Sequence, residues 1–362
     1  MTTSILKTKK TNKRLRYMTW SIVFIVFCSM TLPMTGYLFT NSETEALAQQ
    51  SAGETNQRSN FWRAVRGGGS GYSSVVGSDV NTETNMLYNI TGQDWRQIRN
   101  SWIAEYGGWS LFAVLLLIVA FFSLRGRIEL SEPASGERVK RWSLPERMLH
   151  WYTAILFICL AITGLSLLFG RAILIPLMGP EGFALWASFA IALHNFAGPF
   201  FAVGPLLMFI LWVRHNLPHS TDIAWFAQGG GIVGKKHPSA GKANAGEKVW
   251  FWIVIFLGLG AVCFTGFALI GWVQEYFGQE LTRALAQQMH IWHTVSALLW
   301  IAIFLGHAYI GTIGSEGSID AMTKGHVSAE WAKQHHDLWY EEVTTAEADE
   351  EQSESMERSQ AT

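Results

Sequence analysis

The stretch from Gln288 to Gly314, QMHIWHTVSALLWIAIFLGHAYIGTIG, limits the fold of this chain more than any other. It is apolar and long enough to cross a bilayer, since about 20 residues at a 1.5 Å rise span a hydrocarbon core of roughly 30 Å. Yet it carries His290, His293 and His307. An imidazole in hydrocarbon costs on the order of a few kcal/mol unless it is hydrogen-bonded or holds a ligand, so these side chains demand partners. At about 100° per residue, His293 and His307 fall within roughly 40° of one helix face and about 21 Å apart along the axis. One helix therefore offers a histidine near each of its ends. His290 lies about 100° round from His307 and looks elsewhere.

The rest of the chain fits a membrane setting. Of 362 residues 49% are hydrophobic, with 17 Trp and 22 Phe, and charges are gathered into discrete blocks. That is a polytopic membrane composition. Cys28, Cys159 and Cys263 all sit in apolar runs and no Cys-x-x-Cys-His occurs. This excludes covalent c-type haem and gives no support to a cysteine-held iron–sulfur cluster or zinc site. The near-neutral net charge of −1 says little, and no nucleic-acid partner is expected.

Residues 1–48 read as a signal peptide or uncleaved signal anchor: KTKKTNKRLR, an apolar run from Met18 to Phe39, then Ala46-Leu47-Ala48. Residues 49–105 are polar, with Gly67-Gly68-Gly69, but include Trp62, Trp95, Arg96, Arg99 and Trp102. They read as a periplasmic loop that docks on a partner, or as a linker. Residues 106–140 hold an extra span, Trp109 to Leu124, and most of the loop RGRIELSEPASGERVKRW, whose five arginines and lysines, counted through Arg141, make it cytoplasmic under the positive-inside rule. Four further spans, near 147–170, 187–213, 248–272 and 288–313, make up a domain over 141–314. Residues 315–362 form a cytoplasmic tail ending in the acidic EADEEQSESMERSQAT, expected to be solvated and disordered. Thr163-Gly164 and Thr265-Gly266 echo each other at similar depths, where a small residue permits close approach of a helix or cofactor.

This topology gives the histidines depths. His150 and His307 lie toward the cytoplasm, His194 and His293 toward the outside. Two neutral imidazoles at each depth are what a six-coordinate electron-transfer haem b requires. Other readings compete. A lone interfacial histidine is commonly a structural hydrogen-bonder, and histidine chains also serve proton-coupled transporters. No Asp or Glu lies deep in the four C-terminal spans, which weighs against a relay, and two histidines per depth half-fill a tetrahedral zinc site.

The chain resembles the cytochrome b556 (gamma) subunit of membrane-bound formate dehydrogenase over about residues 140–342. The resemblance rests on Arg147-x-x-His150-Trp151, His194-x-Phe196-x-Gly198, Arg214-His215-Asn216-x-Pro218 with Asp222-Ile223-x-Trp225, Gly241-Lys242-x-Asn244-Ala245-Gly246-x-Lys248, His293 with His307, and Gly317-Ser318-Ile319 leading to Trp331-Ala332-Lys333-x-His335-His336. The region before residue 125 looks like a longer variant, beyond the four-span form.

The resemblance implies an all-α polytopic fold, a four-helix di-haem b bundle preceded by one or two extra N-terminal spans. It also implies a role in the bacterial inner membrane as anchor and electron outlet, with no formate-oxidising residue of its own. A molybdenum or tungsten catalytic alpha subunit and an iron–sulfur beta subunit would deliver electrons from periplasmic formate oxidation. His194 and His293 would hold the outer haem, and His150 and His307 the inner one. Asn244, Gly246 and Glu247 match the loop beside the quinone, with Glu247 where the short form carries glutamine. The cytochrome b subunit of a nickel–iron hydrogenase, a haem-free transporter and a non-haem anchor are the alternatives.

Overall fold

The computed structural model describes residues 90–133, 135–231, 237–278 and 281–360, and over them the chain is an all-α polytopic membrane protein. The segment 1–48 and the loop up to residue 89 lie outside the described residues. Among the described residues four helices are long and apolar enough to cross a membrane: Gly92–Arg125, Leu144–Asn216, Ala245–Leu269 and Arg283–Gly314. Their surfaces expose large apolar side chains such as Leu117, Phe196 and Phe256. A helix apolar all round is at home in lipid, not water.

Helix α1 (Ile90–Gln97) passes through a π-helical stretch, Ile98–Tyr106, into α2 (Gly107–Arg125). Residues 90–105, expected as the end of a loop, are thus helical. Arg99 there donates to Asn100 Oδ1 at 2.8 Å and to the Leu167 carbonyl at 3.2 Å. After strand β1 (Arg138–Lys140), helix α3 (Leu144–Trp212) opens on a capping box. Glu146 Oε2 accepts from the Ser143 amide at 2.9 Å, satisfying a free helix-end donor.

The 69 residues of α3 far exceed one crossing. The helix is interrupted at Gly179, whose φ of 75° and ψ of 170° suit glycine and few other residues. Trp212 Nε1 donates to Glu146 Oε1 at 3.2 Å, joining the far end of α3 to its start. The two legs therefore run antiparallel, as the two expected spans require.

Next come α4 (Ser220–Ala227) and α5 (Ala245–Ile253), which runs through a π stretch, Val254–Cys263, into α6 (Phe264–Leu269). Short α7 (Trp272–Phe277) leads to α8 (Arg283–Tyr309), which carries His290, His293 and His307. Beyond it lie α9 (Ser318–Thr323), strand β2 (His326–Ser328), α10 (Ala329–His335) and α11 (Asp337–Gln360). Strands β1 and β2 pair antiparallel, with Val139 opposite Val327. The acidic end expected to be disordered is helix as far as Gln360. Its Ala and Glu content favours helix without an apolar face.

Packing divides the chain into two compact units. Of the described residues the first takes 90–116, 159–199 and 261–302, and holds His194, His290 and His293. The second takes 117–158, 200–260 and 303–362, and holds His150, His307 and the two strands. Outside the spans, the second unit has its own core of Val139, Ala321, Val327, Trp331, Ala332 and Trp339.

Candidate functional site

In the first unit His194, on the second leg of α3, meets His293 on α8, with ring centroids 6.1 Å apart. With metal–nitrogen bonds of about 2.0 Å on each side, two imidazoles holding one metal ion place their ring centres roughly 6 Å apart. The hydrogen bonds behind the rings decide which nitrogen is free. Thr163 Oγ1 gives its single proton to backbone carbonyls, Cys159 at 2.9 Å or Leu160 at 3.1 Å. It must then accept from His194 Nδ1–H, 2.8 Å away. Thr265 repeats the arrangement: its hydroxyl donates to the Ala261 carbonyl at 2.7 Å and accepts from His293 Nδ1–H at 3.1 Å. The Val262 carbonyl also lies 3.0 Å from that nitrogen. Both rings carry the proton on Nδ1, which leaves the Nε2 lone pairs as metal donors.

The glycines of the same echo lie against the rings. A methyl group added at Gly164 would stand 3.3 Å from His194 Cε1, and one at Gly266 3.4 Å from His293 Cε1. Side chains at either position would press on the imidazoles and on anything held between them.

In the second unit His150, at the start of α3, meets His307, near the end of α8, with centroids 6.4 Å apart. This pair is held differently. Trp250 stacks on His307 at 4.6 Å and an interplanar angle of 12°. His150 is fixed by its neighbours: Arg147 donates to the Thr323 carbonyl at 2.6 Å and Trp151 Nε1 to the Met322 carbonyl at 3.0 Å. Those carbonyls belong to the last turn of α9, whose free acceptors a cation or indole readily satisfies. The Arg147-x-x-His150-Trp151 motif thus pins the start of α3. His150 Nδ1 is buried and has no hydrogen-bond partner among the described residues.

Among the described residues no three or more His, Cys, Asp or Glu side chains cluster as a metal site. Each pair offers two nitrogen donors. That number leaves a zinc ion short of ligands but completes the axial positions of an iron already held by four porphyrin nitrogens. The donor set and spacing fit haem b at both places, and at the His194–His293 pair the tautomer fits as well.

Asn244 and Glu247 form a capping box at the start of α5: Asn244 Oδ1 accepts from the Glu247 amide at 2.9 Å, and Glu247 Oε2 from the Asn244 amide at 3.0 Å. A Cβ at Gly246 would come within 3.0 Å of the Trp225 indole, so the missing side chain makes room for packing. One turn on from Glu247, Trp250 covers His307. A groove of about 420 Å³ is lined by Asn216, Asp222, Lys248, Val249, Trp252 and Phe256. Lys248 and Asp222 pair across it at 2.8 Å. At about 100° per residue, Lys248, Val249 and Trp252 lie on the face of α5 opposite Glu247 and Trp250. The groove therefore does not bring an electron acceptor to His307 and faces away from it.

Sequence reasoning missed Thr163 and Thr265 as hydrogen-bond acceptors, although their repeat was visible. It also missed Trp250 and Arg141. The Arg141 side chain is 2% exposed and lies between Trp331 and Trp339, at 4.9 and 5.0 Å from their ring centroids. Its guanidinium donates to His336 Nε2 at 3.0 Å and reaches Glu247 at 3.4 Å. Burial pulls Arg141 below its ordinary value, opposed by Glu247. Burial also holds fully enclosed His336 well below the usual histidine range, with Arg141 adding to it. His336 is then neutral: Nδ1–H donates to the Gly241 carbonyl at 2.8 Å and Nε2 accepts from Arg141. Its 3.8 Å approach to Glu247 is not an ion pair.

Comparison with known proteins gives the family. The sequence profile of prokaryotic cytochrome b561 matches residues 141–325. The cytochrome b556 subunit of the nitrate-inducible formate dehydrogenase of Escherichia coli K12 is 30% identical over 232 residues, covering 62% of this chain and all of that protein. A second E. coli K12 formate dehydrogenase cytochrome b556 subunit is 32% identical over 210 residues, 57% of this chain and 94% of its own length. Its counterpart in Haemophilus influenzae is 29% identical over 232 residues, 62% and 90% of the two chains. The chain belongs to the prokaryotic cytochrome b561 family, whose cofactor is haem b, and groups there with the cytochrome b556 subunits of formate dehydrogenase.

Proposed function

We propose that this chain is the membrane-anchoring, di-haem cytochrome b subunit of a formate dehydrogenase, the electron-transfer arm of a formate:quinone oxidoreductase. The observation that carries it is the presence of two histidine pairs, each at the spacing of one metal ion. In this reading His194 and His293 hold the outer haem, and His150 and His307 the inner. Haem b supplies one-electron ferric/ferrous chemistry at each place. Thr163 and Thr265 hold two of the four imidazoles in the ligating tautomer. Trp250 keeps His307 dry on one side.

The partners are an iron–sulfur beta subunit and a molybdenum or tungsten catalytic alpha subunit on the periplasmic side. The acceptor is a membrane quinone at the Asn244–Glu247 loop, near the cytoplasmic face of the inner membrane. In this reading the segment before residue 106 lies outside and the C-terminus inside, following the basic loops. Quinone reduction takes up two protons, and Glu247 is the carboxylate placed to pass one, since its side chain is 45% exposed and an electrostatic neighbour of His307. Glu247→Gln tests this, because glutamine also completes a capping box at the start of α5 and keeps an oxygen acceptor toward Arg141. Haem reduction by formate should be intact in that variant and quinone turnover slowed about 10²-fold or more, as for loss of a general acid. Unchanged turnover would remove Glu247 from the proton path. In oriented vesicles, protons should disappear from the cytoplasmic side; uptake from the outer side would refute the site.

A further inference from the structure

The first unit contains a polar cluster that the histidine pairs do not use. Trp95, on α1, stands edge-on to His290 of α8, with ring centroids 5.5 Å apart and an interplanar angle of 82°. Arg99, one turn along from Trp95, is an electrostatic neighbour of His290. Trp95 Nε1 and His290 Nδ1 are both buried, and among the described residues neither has a hydrogen-bond partner. The hydrogen bonds that Arg99 makes go to a neutral amide and a carbonyl. An indole N–H can only donate, and a guanidinium can only donate. The cluster is thus rich in donors and positive charge within a membrane-spanning helix, and carries no carboxylate of its own. Such a group is stabilised by an anion with oxygen acceptors.

His290 also lies one turn from His293 on the same helix, about 4.5 Å along its axis. A porphyrin held at His293 would bring carboxylate arms, and this cluster is a donor group one helical turn from that histidine. We infer that Trp95, Arg99 and His290 form a carboxylate-binding clamp that takes a propionate arm of the haem held by His194 and His293. The inference rests on the haem reading above. It assigns the segment before residue 106 a task at the cofactor, where the sequence pointed only to docking.

The test uses the purified complex and three variants: Arg99→Gln, Trp95→Phe and His290→Phe, the last two keeping an aromatic ring where the packing needs it. Removing a charge-assisted bond to a carboxylate should release the His194–His293 haem to an external haem acceptor about tenfold faster. The midpoint potential of that haem should fall in Arg99→Gln, because a nearby cation favours the ferrous state, and the other haem should not move. The deciding arm replaces haem with its dimethyl ester, which has no carboxylate. In the ester-loaded protein Arg99→Gln and His290→Phe should release haem no faster than the wild-type chain. The same tenfold effect with the ester would overturn the clamp and leave a packing role. If the wild-type complex holds no haem, the parent reading fails, and that outcome shows at once in the absorption spectrum.

Discussion

Thr163 and Thr265 show how one hydroxyl decides what a buried imidazole can do. Each spends its proton on a backbone carbonyl and so must accept from a ring Nδ1–H, which leaves Nε2 free. Thr163→Val keeps the volume but leaves His194 without its 2.8 Å partner, a loss of about 1–3 kcal/mol in holding the ring. The expected result is a changed redox potential and electron paramagnetic resonance signal for the His194–His293 haem alone; two unchanged haems would show that the hydroxyl plays no part. Arg141→Ala should act on stability instead, because it strips the partner from His336 and Glu247 in a buried setting. The expected cost is about 1–3 kcal/mol, that of leaving the buried His336 Nε2 without its donor, read as a lower thermal midpoint. The four paired histidines were legible from the apolar stretches that carry them. The threonines were legible only as an echo, since their role depends on which helices become neighbours, and no spacing rule reports that. Arg141 was hidden as one of five basic residues in a loop.

Among the elements, the long spans were the easiest to read. Runs near 147–170, 187–213, 248–272 and 288–313 became α3 with its interruption at Gly179, the α5–α6 helix and α8. Hydrocarbon forces every backbone group into a helix, so an apolar run is sufficient signal. The two strands were not readable, because three residues each, Arg138–Lys140 and His326–Ser328, are too few to show alternation. Helix α1 was obscured by Trp95, Arg96 and Arg99. Gly179→Ala would place a side chain at φ 75°, ψ 170°, which costs about 1–3 kcal/mol and should lower the thermal midpoint of the chain without changing its haem count. Helix α10 should be pH-sensitive. Burial, with His336 and His237 adding to it, pulls His335 down to about 3, and His336 is depressed too. In the unfolded chain both protonate near pH 6.5, so the unfolded state binds more protons between about pH 6.5 and 3. Stability of this element is complete above about pH 6.5 and is lost as pH falls, by up to about 1.4 kcal/mol per unit for each histidine. Hydrogen exchange of residues 326–340, corrected for intrinsic rates, should show weaker protection at pH 5 than at pH 7; equal protection would contradict the burial of both rings.

At the scale of the whole molecule, one helix, α8, contributes His293 to the first unit and His307 to the second, and α3 answers with His194 and His150. The 14-residue interval in α8 was the feature that made the arrangement readable before any fold was known. What that interval could not convey is the different support behind each pair: hydrogen-bonded threonines for one, a stacked tryptophan and a pinned helix start for the other. The central claim is that the two pairs are two separate haem sites. It is tested most directly by counting haem b per chain, by pyridine haemochrome absorbance, in the purified wild-type protein and in His293→Ala and His150→Ala. The account predicts two haems in the wild type, one remaining in each variant, and formate-dependent reduction of the inner haem blocked when the outer one is lost. Two haems surviving His293→Ala, or a wild-type chain without haem, would contradict it.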